Sequence, residues 1–148
     1  QMTPLKKLNE TFKINFFNQI YLSQLIVKKM QKNKKGSIIN VSSTSAIQGN
    51  IGRLAYASSK SSLITATKVM SRELGQFGIR VNSICPGLTN TDMMINNTDK
   101  KILSEITERL NLKRIAEPDE IANVIAFLAS DLSSYLTGEN IIVDGGLT

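Results

Sequence analysis

Residues 36–87 read GSIINVSSTSAIQGNIGRLAYASSKSSLITATKVMSRELGQFGIRVNSICPG, and the succession of patterns in this stretch decides the fold. Ser37 to Val41 is a short, β-branched run, apolar on both faces apart from Asn40. Such a run suits a central strand of a parallel sheet that is covered by helices. Ser42 to Arg53 is rich in Ser, Thr, Asn and Gly and reads as a loop. Leu54 to about Gln76 reads as a long helix, with no Gly or Pro before Gly75. Ile79 to Ile84 is a second strand, closed by Cys85, Pro86 and Gly87.

The chemistry of the stretch centres on Tyr56-Ala57-Ser58-Ser59-Lys60. A phenol and an ammonium four residues apart share one face of a helix. Ser43 arrives from the end of the first strand, and open α/β sheets bind ligands outside the carboxyl ends of their strands. A hydroxyl there completes a proton-handling site. Taken alone, the pair also fits a half-buried Tyr beside a solvated Lys, and the loop serines also fit hydroxyls that satisfy turn carbonyls.

Outward from this stretch, residues 5–32 predict one long amphipathic helix. Leu8, Phe12, Phe16 and Ile20 repeat at i+4, and Leu22, Ile26 and Met30 continue the apolar surface. Asn15, between Ile14 and Phe16, reads by pattern as a surface residue on the polar side. A Lys-rich end and Gly36 stop the helix. On the carboxyl side, residues 88–98 are polar and loop-like. Ile102, Leu103, Ile106 and Leu110 mark a shorter helix. Pro118 starts another at the favoured first position, with Asp119 and Glu120 in its first turn and a stripe of Ile121, Val124, Ile125 and Leu128. Asn140 to Val143 is a third strand, ending in Asp144-Gly145-Gly146. Helix, strand, helix, strand, helix, helix, strand is one half of a doubly wound α/β domain.

Composition narrows the function classes. The chain has 148 residues, 41% apolar and 20% charged, which suffices for one domain with a real core. No apolar run reaches the length of a membrane span, and the first residues lack the apolar centre of a signal peptide. There is no histidine, which excludes a Ser-His-Asp or Cys-His triad within this chain and makes a hydrolase built on Ser43 a poor fit. With one cysteine, a zinc site is implausible; Cys85 fits an inert thiol packed at a buried strand end. The net charge of +6 is concentrated in residues 1–35, where Lys28, Lys29, Lys32, Lys34 and Lys35 crowd a helix end. Cations there complement the helix dipole. No aromatic residues interleave with them, which argues against a nucleic-acid surface.

Taken together, these motifs resemble the short-chain dehydrogenase/reductases, and in particular the branch that includes 3-oxoacyl-[acyl-carrier-protein] reductases. The resemblance runs almost from end to end. Ser43, Tyr56 and Lys60 match the family's catalytic Ser and Tyr-x-x-x-Lys, and Asn15 matches the helix Asn that completes a tetrad. Pro86-Gly87-Leu88-Thr89-Asn90-Thr91 resembles the segment that folds over the nicotinamide and pyrophosphate. The resemblance therefore implies the C-terminal half of a Rossmann-type parallel sheet flanked by helices. It implies Pro86, Gly87, Thr89 and Thr91, with Tyr56 and Lys60, as cofactor-binding residues for NADP or NAD.

The implied reaction is carbonyl reduction or alcohol oxidation on a small-molecule substrate. Tyr56 would be the acid or base, and Lys60 would favour the phenolate and hold the nicotinamide ribose. Ser43 would bond the substrate oxygen, and Asn15 would hold a water in a relay from Lys60. A cytoplasmic homodimer or homotetramer is the implied assembly. The family's amino-terminal features have no match here: no Thr-Gly-x-x-x-Gly-x-Gly turn, and no Asn-Asn-Ala-Gly strand end. Residues 1–148 thus read as a single partial domain, a fragment or truncated product, expected to bind NAD(P)H weakly by itself. The alternative reading is a catalytically inactive remnant that serves as a dimerisation or interaction module through the helices at 5–32 and 54–76.

Overall fold

A computed structural model describes residues 2–92, 94 and 99–147. The chain begins with helix α1 (Leu5–Phe12), passes through a π-helical turn (Lys13–Phe17) and continues as α2 (Asn18–Asn33). Strand β1 (Gly36–Val41) follows, then a short α3 (Ser45–Gln48) and the long α4 (Leu54–Leu74). Strand β2 (Ile79–Pro86) leads to α5 (Lys100–Arg109), α6 (Pro118–Ala129) and β3 (Asn140–Val143).

The sheet is parallel, in the order β1-β2-β3. Gly36 pairs with Ile79 and Val41 with Ile84; Ser83 pairs with Asn140 and Pro86 with Val143. Alternation along β1 sends side chains to two helical layers. Asn40 donates to Thr67 Oγ1 of α4 at 2.8 Å, whereas Ser37 donates to the Leu128 carbonyl of α6 at 2.8 Å. Leu74, Ile79 and Val81 form a core cluster on the α2/α4 side, joined by Val27, Met30, Ile38 and Met70. On the other side, Arg80 donates to the Leu128 and Ser130 carbonyls and to Ser133 Oγ.

Several boundaries differ from the sequence pattern. The helix expected over 5–32 is interrupted by the π turn, where Asn18 N–H reaches back to the Lys13 carbonyl. It ends at Lys34, which takes the left-handed conformation at φ 49°; Gly36 instead opens β1, with Met30 packed where its side chain would stand. The polar loop expected over 42–53 contains α3. The strand read as central, β1, is the sheet's edge among the described residues, and Val41 is 43% exposed. The central strand is β2, buried from Val81 to Cys85. Both strands mix apolar and polar residues on their two faces, Ser37 and Asn40 in β1 and Arg80, Asn82 and Ser83 in β2, so the pattern could not rank them. The start of α6 follows expectation: Pro118 stands in the first turn, and Glu120 accepts from the Glu117 N–H at 2.8 Å. The segment expected to be a loop over 88–98 lies partly outside the described residues.

Candidate active site

The carboxyl edge of β1 and β2 carries the candidate residues. The ladder continues past the end of β1: Ser42 N–H donates to the Ile84 carbonyl at 2.8 Å and Thr44 N–H to the Pro86 carbonyl at 3.1 Å. Ser43 lies between them and is buried. Its hydroxyl accepts from Ser45 N–H at 3.2 Å and, among the described residues, donates to nothing. A hydroxyl so held can donate to an incoming oxygen.

Tyr56 and Lys60 belong to the first turns of α4. The buried stripe of this helix is Ala55, Ser59, Leu63, Thr67, Ser71 and Leu74, so Tyr56 and Lys60 stand at its half-buried border. Lys60 Nζ lies 5.9 Å from the centroid of the Tyr56 ring and donates to the Val41 carbonyl at 2.8 Å. Burial holds the Lys60 ammonium below its ordinary value, partly offset by Cys85 nearby. Cys85 itself is buried beside Asn140 Oδ1 at 3.1 Å.

Asn15 is not a free surface residue. The π turn widens the helix by one residue, a device common at functional sites. Asn15 lies within it and donates from Nδ2 to Ser59 Oγ at 3.1 Å. Ser59 Oγ donates to the Tyr56 carbonyl at 2.8 Å. A second hydroxyl, Ser42 Oγ, donates to the Lys60 carbonyl at 2.8 Å. Sequence reading singled out neither Ser42 nor Ser59. The available signal was the position of Ser59 one residue before the lysine, on the stripe that also carries Leu63 and Thr67.

Pro86, Gly87, Thr89 and Thr91 leave the end of β2 and run toward α6. Gly87 N–H donates to the Val143 carbonyl at 2.9 Å, and a Cβ on Gly87 would lie 2.8 Å from Asp144 Cα. Close approach to β3 therefore explains this glycine without any ligand. Thr89 forms a parallel bridge with Ala116, and Asn90 Nδ2 donates to both oxygens of Glu117. Thr91 is exposed; its hydroxyl accepts from Met94 N–H at 3.3 Å. The structure thus joins Asn15, Tyr56 and Lys60 through hydrogen bonds and ring contact. It sets Ser43 on the same edge, and seats Thr89 and Thr91 on a separate segment with bonds of its own.

The arrangement has a counterpart in known proteins. A family model described as enoyl-(acyl carrier protein) reductase matches residues 1–148. A solved short-chain type dehydrogenase/reductase from Mycobacterium ulcerans is 32% identical with a TM-score of 0.90, over 97% of this chain and 53% of that one. The chain belongs to the short-chain dehydrogenase/reductase family. Within that family, a 3-oxoacyl-[acyl-carrier-protein] reductase FabG of Thermotoga maritima is 42% identical over 134 residues, 90% of this chain and 54% of that protein. A solved 7α-hydroxysteroid dehydrogenase, complexed with NADH and 7-oxo glycochenodeoxycholic acid, is 33% identical with a TM-score of 0.95, over 97% of this chain and 56% of that one. The chain spans about half the length of the curated short-chain dehydrogenase/reductase relatives it matches. Its three parallel strands and flanking helices are part of the family's Rossmann-type sheet.

Proposed function

We propose that residues 1–148 form the catalytic part of an NAD(P)-dependent oxidoreductase that interconverts a small-molecule carbonyl and its alcohol. The observation that carries this reading is the Lys60 ammonium, fixed to the Val41 carbonyl at 2.8 Å and set beside the Tyr56 ring. In reduction, Tyr56 delivers its hydroxyl proton to the substrate oxygen; in oxidation the phenolate removes it. Lys60 steadies the negative oxygen of Tyr56, and Ser43 donates a hydrogen bond to the substrate oxygen as charge develops there. Asn15 holds the relay that returns a proton from solvent. The donor set fits the nicotinamide-ribose end of NADP or NAD: an ammonium, a phenol and hydroxyls at the carboxyl edge of parallel strands. Tyr56, Lys60, Pro86, Gly87, Thr89 and Thr91 would hold it. The cofactor supplies or accepts the hydride.

The named activities of the relatives are those of oxidoreductases, which gives no support to a non-catalytic module. Assembly uses a different surface. Phe16, Tyr21 and Leu25 of the first helices and Thr65, Val69 and Met70 of α4 line an apolar groove. Self-association of that groove gives a homodimer or homotetramer. No helix among the described residues is long and apolar enough to cross a membrane.

The deciding experiment is Tyr56→Phe in a version of the protein that carries a complete nucleotide-binding half, assayed by loss of NADPH or NADH absorbance against a panel of a 3-oxoacyl thioester, a small ketone and a sugar. Turnover is expected to fall by about two to four orders of magnitude, with cofactor binding nearly intact. Retention of more than about a tenth of the turnover, against an acid contribution of this size, removes Tyr56 as the acid.

A further inference from the structure

We infer that Ser42 is a positioning residue for the proposed reaction: its hydroxyl fastens the main chain of Lys60 to the end of β1, so that the ammonium keeps its place beside Tyr56. Ser42 is 3% exposed, and its Oγ donates to the Lys60 carbonyl at 2.8 Å. The direction is fixed, because a carbonyl oxygen can only accept. The preceding residue closes the other half of the grip, for Val41 offers its carbonyl to the Lys60 ammonium at 2.8 Å. Two consecutive residues at the strand end thus hold both ends of one lysine, through bonds of opposite sense.

Satisfying polar groups does not by itself call for this bond. Lys60 lies inside α4, where the helix ladder already gives its carbonyl a donor four residues on. An alanine at position 42 would leave no hydroxyl to satisfy. What the serine adds is a cross-link. Its main-chain N–H is held by the Ile84 carbonyl of β2 at 2.8 Å, so the hydroxyl reaches α4 from a point anchored on the central strand. Ser43 is the next residue, and the same link therefore sets the spacing between Ser43 and the helix turns that carry Tyr56 and Lys60. A misplacement of about 1 Å at a reacting group can cost about a hundredfold in rate. The seat also keeps the ammonium partly out of water, which holds it below its ordinary value. Two titratable groups stand beside it, Tyr56 on its own helix and Cys85 on β2.

This inference rests on the proposed oxidoreductase reading, and the test separates the two. Ser42→Ala is compared with Ser71→Ala, which deletes a hydroxyl that donates to the Lys68 carbonyl of the same helix at 2.9 Å. The Lys60 ammonium is titrated in the purified chain by 13C NMR of lysine labelled at Cε, with Lys60→Met identifying its signal. Turnover is measured in the version that carries a complete nucleotide-binding half. Ser42→Ala is expected to lower turnover about tenfold, the worth of one buried hydrogen bond, and to move the Lys60 titration up toward 10.5 as the ammonium leaves its seat and is rehydrated. Ser71→Ala is expected to change neither. Should Ser42→Ala not fold, Ser42→Cys, of similar shape and a weaker donor, is held to the same two readings. An unmoved Lys60 titration, a turnover no lower than that of Ser71→Ala, or an equal shift of Lys60 in Ser71→Ala overturns the inference. A wild-type protein with no NAD(P)H-dependent turnover overturns the oxidoreductase reading; the titration, which needs no cofactor, still decides whether Ser42 holds the lysine.

Discussion

Lys60 Nζ donates to the carbonyl oxygen of Val41 at 2.8 Å, so a cation on α4 is tethered to the last residue of β1. Burial is the main reason its pKa lies below the ordinary value of 10.5. The unfolded chain then binds more protons than the folded one between the depressed value and 10.5, and stability rises with pH in that window. The contribution is fully present above 10.5 and is lost as pH falls through the folded-state value. Lys60→Met removes this dependence. Urea unfolding of both proteins, from neutral pH upward, is expected to give a wild-type stability that climbs relative to the variant. A difference that stays flat with pH refutes the assignment.

Arg114 grips Glu120 with both guanidinium nitrogens at 2.7 Å. That hydrogen bonding, with the Glu117 backbone N–H, holds the Glu120 carboxyl down at about 2 against an ordinary 4.5. The stabilisation is therefore present above 4.5 and is lost as pH falls toward 2. Arg114→Ala is expected to move the Glu120 titration upward, read from its carboxyl carbon by 13C NMR. A titration that stays where it was assigns the shift to the helix terminus alone.

Gly87→Ala tests why that position is glycine. The added methyl would stand 2.8 Å from the backbone Cα of Asp144, which cannot swing aside as a side chain can. Overpacking of this kind costs about 1–3 kcal/mol. Chemical denaturation is expected to show a loss of that order, and a neutral result would mean that the end of β3 yields freely.

Val69 projects from α4 into the groove beside Tyr21 and Leu25 and is exposed. If this face joins copies of the chain, Val69→Lys sets like charges near one another across a two-fold axis. Sedimentation is expected to change from dimer or tetramer toward monomer, while far-UV circular dichroism is retained. A wild-type protein already monomeric at micromolar concentration removes this interface.

Much of this fold was legible because each element carries its own punctuation. Pro118 followed by Asp119 and Glu120 opens α6, and Asn140 to Val143 forms β3 where the β-branched run lies. The pairing of Tyr56 with Lys60 followed from helical spacing alone. Other features depend on residues far apart in the chain. Nothing near Asn15 shows that it faces Ser59, because the π turn changes the helical phase that pattern reading assumes. Lys34 stops a helix in a left-handed conformation usually left to glycine, so the boundary was drawn at Gly36. The edge position of β1 among the described strands was hidden because burial depends on neighbours that a strand's own residues do not name.

The parallel sheet also governs how the chain folds. Gly36 meets Ile79 only after all of α4 has been traversed, and Ser83 meets Asn140 only after α5 and α6. Among the described strands there is no hairpin from which pairing can start locally. Each ladder must close a long loop before any of its hydrogen bonds form, and that entropy is spent in advance. Helix α1 and the π turn pack on α4 and can gather with it first, leaving β2 to recruit its partners late. Refolding is therefore expected to be slow for a chain of this size, with helix content recovering before the strands come into register.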